Sequence, residues 1–468
     1  MQQIIDKFLN IFRIPDLRKR VLFMLGILAV YRLGAWIPTP GVNTRQLDLL
    51  FQGAAGGSAL GLMDLFSGGT LRRMTIFALG IMPYITASII FQLLTVVYEP
   101  LARIQKEGEL GRRKITQWTR YLTVVLGALQ SIGIAAILTK QGIVLDPGPL
   151  FVVLTVITLT AGTAFIMWLG EQITDRGIGN GMSLLIFAGI VAGLPNGIAD
   201  LVRKIQTDAW GSLTIVVVLL LVVGMAAVVG FIVFVERSER RIPIQSARRI
   251  VGRRMMGGQS SHLPLKVNSG GVMPIIFASS ILSAPLLFSQ VSWVANNRFL
   301  QSIVGPGGAL APGMPWYELA NIVGIIFFAY FYVSIVMRPD DIADNFRKSG
   351  SFIPGIRPGK RTSDFINDIL TRITLVGALY LIIVQMIPTA LISGIRFDKI
   401  WLIGRLFENL PSWMIHGMNV NFYFGGTSLL IVVGVAMDTV NQIESQLIMR
   451  HYDGFSPRSG RIRGRKTW

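Results

Sequence analysis

Side chains that move protons or hold metals are scarce in this chain. Its three histidines, His262, His416 and His451, stand far apart, and it has no cysteine. No histidine pair has the short spacing that closes a metal site, and thiolate chemistry and disulfides are excluded. Glu171, Asp175, Glu236, Glu318, Asp438 and Glu444 fall near the ends of apolar segments, not in their middles. An intramembrane hydrolase or an ion-coupled carrier needs ionisable groups deep within such segments. No GxxxxGK[ST] loop for nucleotide phosphates occurs either. The sequence therefore predicts no catalysis, no metal and no cofactor.

Two kinds of non-covalent chemistry remain. In FALGIMPYITASIIFQLLT (77–95), Ile81, Ile85 and Ile89 recur every fourth residue, on one face of a helix. Such a face packs against lipid or a neighbouring helix. Pro83 lies in the same stretch and predicts a span with freed backbone groups that must be satisfied inside protein. The other chemistry is cationic. ERSERRIPIQSARRIVGRRMMGG (236–258) carries repeated arginine pairs, and RPDDIADNFRKSGSFIPGIRPGKRTSDF (338–365) sets Arg357 between Pro/Gly turns. Both loops are long enough to project as docking surfaces for an acidic partner.

The elements that must position these residues are membrane spans. The chain is 52% hydrophobic and 15% charged, whereas a soluble domain carries about 25% charged residues. No Asp, Glu, Lys or Arg occurs in 74–98, 121–139, 147–170, 177–199, 209–235, 267–297, 319–337, 373–395 or 409–437, and each is long enough to hold a spanning helix. Residues 21–37, interrupted by Arg32, make a tenth. No cleavage site follows it, so it is expected to stay. Of the 44 Lys and Arg, 33 fall on the N-terminal stub, the tail and the alternate loops between. That asymmetry puts both termini in the cytoplasm. The ten spans divide into halves at about 1–195 and 196–445, followed by a basic tail, 446–468. An odd number of spans per half inverts the second relative to the first, the plan of many transport proteins.

Residues 56–69, GGSALGLMDLFSGG, fit neither span nor loop. Leu60, Leu62, Met63, Leu65 and Phe66 are too apolar for exposure, and the run is too short to cross a bilayer. A half-length apolar helix is tolerated at membrane depth only inside protein, and the bracketing glycines permit it to swing. From the residues alone, an inverted-repeat carrier for a neutral solute stays open beside a channel.

FSGGTLRRMTIFALGIMPYITASIIFQLLTVV, EGELGRRKITQWTRY, WLGEQITDRGIGNGMSLLIFAGIVAGLP, QSSHLPLKVNSGGVMPIIFASS, SGSFIPGIRPG, TRITLVGALY and FYFGGTSLLIVVGVAMD resemble the SecY family of bacterial protein-translocation channels, in order and over nearly the whole chain. The resemblance implies an all-α membrane protein of ten helices in two inverted halves around an hourglass pore. It implies passage of unfolded polypeptides across the plasma membrane and sideways release of membrane helices through a lateral gate. By that resemblance 56–69 is the plug, with Ser58 and Asp64 among its residues. Ile81, Ile85, Met182, Ile186, Ile276 and Ile431 match the pore ring, where Met182 replaces the usual branched residue. Thr86, Gln130 and Asn268 match a polar cluster at the gate between the second and seventh spans, with Gln92 nearby. Arg248, Arg249, Arg253, Arg254 and Arg357 match docking sites for the ribosome and the motor ATPase SecA. The implied partners are SecE, SecG, SecA, the ribosome, signal sequences and nascent chains, and anionic lipids. One stretch departs from the family pattern. Residues 389–420 are longer than expected, and their mixed content suits an interfacial helix on the outer surface.

Overall fold

The computed structural model describes residues 14–47, 67–207, 214–246, 249–251, 254–256, 260–288, 297–305, 308–311, 314–392 and 426–453. Ten helices of 16 residues or more follow one another along these residues. They are α1 (Pro15–Gly34), α2 (Met82–Val97), α4 (Glu109–Lys140), α5 (Pro149–Arg176), α6 (Gly181–Gln206), α7 (Thr214–Arg237), α8 (Met273–Phe288), α10 (Pro315–Val336), α12 (Lys360–Ile392) and α13 (Gly426–Asp453). Each overlaps one of the ten apolar segments. Six are long and apolar enough to cross a bilayer unaided, α10 together with the segment that follows it; α2 and the short α3 (Glu99–Lys106) form a further pair bent by 101°. Two more short helices among the described residues are α9 (Arg298–Val304) and α11 (Pro339–Ser349).

Proline places many of these starts. It stands at the first or second position of α1, α2, α3, α5, α10 and α11, where the missing N–H costs nothing and the fixed φ suits a helix. The second span corrects the sequence expectation. Helix begins only at Met82, so Pro83 sits in its first turn and interrupts no helix. Residues 67–81 are instead a chain of turns, deeply buried: Met74, Phe77 and Leu79 are among the largest fully buried side chains. Their backbone groups are answered by the segment after α1, with Thr39 N–H donating to the Met74 carbonyl and Ile76 N–H to the Ile37 carbonyl. Irregular backbone at membrane depth survives only when so paired.

The packing order repeats. In the first five long helices, α2 packs on α4, α4 on α5, α5 on α6, and α1 on α6. In the last five, α8 packs on α10, α10 on α12, α12 on α13, and α7 on α13. The two sets meet along two seams, α8 against α2 and α4 on one side and α6 against α13 and α7 on the other. The largest apolar cluster runs through both sets. α7 is the least enclosed helix: Ile215, Val216, Leu219, Leu220, Val223 and Phe234 all face outward.

The long loop after α7 is a ladder. β1 (Glu239–Ser246) pairs antiparallel with β4 (Ser260–Lys266), Ile242 opposite Leu263, and with the two-residue β5 (Ser351–Phe352), Gln245 opposite Phe352. Ile242 and Ile244 point inward while Arg241 and Gln245 are exposed, the period of two that the alternating sequence encodes. Between them β2 (Arg249–Val251) and β3 (Arg254–Met256) form a hairpin. A second apolar cluster, including Ile242, Leu265, Ile353, Ile366 and Leu370, fastens this sheet to α12.

Candidate functional site

The candidate ring residues come from four helices. Ile81 is the N-cap of α2 and Ile85 lies one turn on; Met182 and Ile186 occupy the first turns of α6; Ile276 is in α8 and Ile431 in α13. All six join the one apolar cluster that runs through both helix sets, Ile81, Ile186, Ile276 and Ile431 as buried members and Ile85 and Met182 packed against them. Ile89, the third residue of the stripe, is buried there too. Nothing charged is among them, so the convergence can exclude ions but cannot bind them. It makes no fixed hydrogen bond to whatever contacts it.

The candidate plug residues Ser58, Leu60, Leu62, Met63, Asp64, Leu65 and Phe66 lie outside the described residues, as does the 393–420 part of the unusually long stretch. The residues that follow the candidate plug are described, and they are tightly held. Ser67 is buried, and its carbonyl accepts from the Thr70 hydroxyl at 3.0 Å. The same hydroxyl lies 3.0 Å from the Phe77 carbonyl. Gly68 and Gly69 both have left-handed φ, +71° and +81°. A Cβ on Gly68 would lie 2.6 Å from the Gly189 carbonyl oxygen of α6. Sequence suggested a free hinge at this end. Instead, Gly68 is needed because its backbone presses on α6 in a conformation other residues avoid.

The polar residues of the candidate gate are not joined to one another. The Thr86 hydroxyl donates to the Met82 carbonyl at 3.0 Å, and Gln92 Nε2 to Ser88 Oγ at 3.1 Å, both within α2. Gln130 Oε1 is buried without a partner among the described residues. Asn268 is buried, and its Nδ2 donates to Glu236 Oε1 at 2.7 Å and to the Gly271 carbonyl at 3.1 Å. That bond ties the start of the α8 segment to the end of α7, inside one helix set. α8 does lie against α2 and α4 as the gate requires. A hydrogen bond that crosses the seam is at its edge, Arg338 Nη2 to Gln105 Oε1 at 3.5 Å.

Of the candidate docking residues, Arg249 stands on β2 and Arg254 on β3, while Arg248 and Arg253 lie outside the described residues. Arg357 is exposed in a turn between Gly355 and Gly359, both with left-handed φ, and its carbonyl accepts from the Thr362 hydroxyl. The β1–β5 pairing joins the two basic loops, a link invisible in the sequence because a two-residue strand has no periodicity to read. Glu236, the partner of Asn268, also escaped notice as a mere span-end charge. Among the described residues no group of three metal-ligating side chains occurs.

Comparison with known proteins gives consistent results. The family described as SecY matches residues 75–440. The protein translocase subunit SecY of Escherichia coli (strain K12) is 47% identical over 442 residues, covering 94% of this chain and 93% of that protein. The subunit of the same name from Streptomyces griseus is 44% identical over 467 residues, covering 96% and 99%. Among solved structures, one described as a protein-conducting channel aligns with a TM-score of 0.64 at 17% identity, over 94% of this chain and 95% of that one. Another, on the plug domain of SecY in the closed channel, aligns at 0.63 and 17%, over 94% and 95%. Sec61 in the canine ribosome–channel complex aligns at 0.60 and 16%, over 94% and 95%.

Proposed function

This chain belongs to the SecY family, and we propose that it forms the pore of a protein-conducting channel in the bacterial inner membrane, with both termini cytoplasmic. The observation that carries the reading is the meeting of Ile81, Ile85, Met182, Ile186, Ile276 and Ile431, from both helix sets, in one apolar cluster. An apolar constriction is suited to a substrate of any sequence. It forms no hydrogen bonds that would have to break as each residue passes, and when empty it resists water and ions by dewetting. The halves are 1–195 and 196–445, with 446–468 a basic tail; the repeated packing order of the long helices favours this division. Residues 56–69 act as a plug above the constriction, held at Ser67–Gly69.

The seam of α8 against α2 and α4 is the lateral gate. Thr86, Gln92, Gln130 and Asn268 border it. The unpartnered Oε1 of Gln130 favours rearrangement there, since a buried acceptor left without a donor costs about 1–3 kcal/mol. Arg248, Arg249, Arg253, Arg254 and Arg357 form one cytoplasmic platform for the ribosome, through RNA phosphates, and for SecA, so the two compete. SecE and SecG accompany the chain, anionic lipids meet its basic loops, and energy comes from the motor or from synthesis.

The test is photocrosslinking in proteoliposomes holding the chain, its small partners and SecA. A secretory precursor is jammed midway by a folded tag, with a probe at Ile85, Ile186 or Ile276. Adducts at all three that need ATP and a functional signal sequence are expected. Absence of adducts there, with probes on the basic loops still capturing SecA, refutes the pore assignment.

A further inference from the structure

Met182 is the one residue of the proposed constriction that is not isoleucine, and the structure gives it a seat of its own. A Cβ built on the buried Gly170 of α5 would lie 2.5 Å from Met182 Sδ and 3.0 Å from its Cε. The thioether therefore occupies the space that any side chain at 170 would claim. The backbone around it has no room to shift. A Cβ on Gly181 would lie 1.9 Å from the Gly170 carbonyl oxygen, so α5 and α6 touch main chain to main chain. The Thr174 hydroxyl donates to the Gly170 carbonyl and accepts from Gly181 N–H, both at 2.9 Å. Met182 N–H donates to Asn180 Oδ1 at 3.1 Å. With the main chain pinned, only the Met182 side chain is free to move, about its flexible unbranched bonds.

We propose that Gly170 is a positioning residue for the constriction, a socket that draws the Met182 thioether against α5 and so keeps it out of the polypeptide's path. An isoleucine, stiff and branched at Cβ, cannot reach across in this way. The departure from isoleucine and the glycine opposite it thus form one device, a retractable element in an otherwise stiff ring. Its effect on transport rests on the channel reading above; its geometry does not.

Gly170→Ala expels the thioether, and two readouts follow. Methionine oxidation tracks exposure, so sulfoxide formation at Met182 under hydrogen peroxide, read by peptide mass spectrometry, should rise about threefold or more in proteoliposomes. SecA-driven passage of a precursor should slow severalfold and return to the wild-type rate in Gly170→Ala/Met182→Ala. Met182→Ile, which keeps Gly170 but removes the thioether that fills its socket, should slow passage as Gly170→Ala does. Unchanged oxidation, unchanged passage, or a slowing that Met182→Ala does not relieve would overturn the proposal. If the wild-type chain passes no precursor while oxidation still rises in Gly170→Ala, the socket stands and the channel reading fails.

Discussion

The two seams between the helix sets are built differently. On one side α6 runs on through the chain toward α7, and both lie near α13, so the halves are covalently joined there. On the other side α8 lies against α2 and α4, helices far from it in the chain. Of the polar residues along that second seam, Thr86 and Gln92 bond inside α2 and Asn268 bonds Glu236, while Gln130 Oε1 has no partner among the described residues. None of these four bonds another across the seam, so its parting orphans none of them. The joined seam keeps its geometry by main-chain connection. The difference is what the lateral gate proposed above requires, separation on one side and continuity on the other.

Covalent staples break this comparison most directly, and the absence of native cysteine makes introduced pairs unambiguous. Gln105→Cys with Arg338→Cys, joined by a bifunctional maleimide that replaces the two long side chains meeting there, bridges the open seam. Crosslinking should cut precursor transport about tenfold or more, since a locked closure blocks the gated step. Ile178→Cys with Ile443→Cys, in one apolar cluster beside the joined seam, should leave transport near wild type. Equal inhibition by both staples would erase the distinction.

Gly68→Ala comes next. It imposes a left-handed φ on a residue with a Cβ and drives that atom into the Gly189 backbone. A loss of about 1–3 kcal/mol in stability is expected, with increased resting ion leak measured in planar bilayers. Asn268→Ala strips Glu236 of its donor, and losing a hydrogen bond to a charged group costs about 1.5–3 kcal/mol. Thermal unfolding in detergent should show the loss, whereas Thr86→Val, whose bond is local to α2, should shift stability less. The smallest effect is expected at Lys266, whose ammonium lies 3.6 Å from Asp438 with both side chains about half exposed or more. Lys266→Ala should change stability by less than about 1 kcal/mol.

The sequence by itself determined the ten apolar segments and the cationic loops. These are properties of composition and spacing: each span reads within its own 20 residues, because a bilayer forces every segment to satisfy its backbone locally. It also placed Ile81, Ile85 and Ile89 on one face. Motifs quoted from seven stretches were enough to identify the family. The tertiary structure alone decided three further matters. It moved the start of the second span to Met82, because residues 67–81 pair their backbone with 37–39 across some 35 positions of chain. It turned Asn268 toward Glu236, 32 positions away in the chain, a pairing that no local pattern encodes. It joined the loop of Arg357 to that of Arg249 through β5 and seated Met182 on Gly170. In each case the deciding contact is long-range in sequence or lies between helices. A glycine's value there depends on what sits opposite, which a one-dimensional reading does not contain.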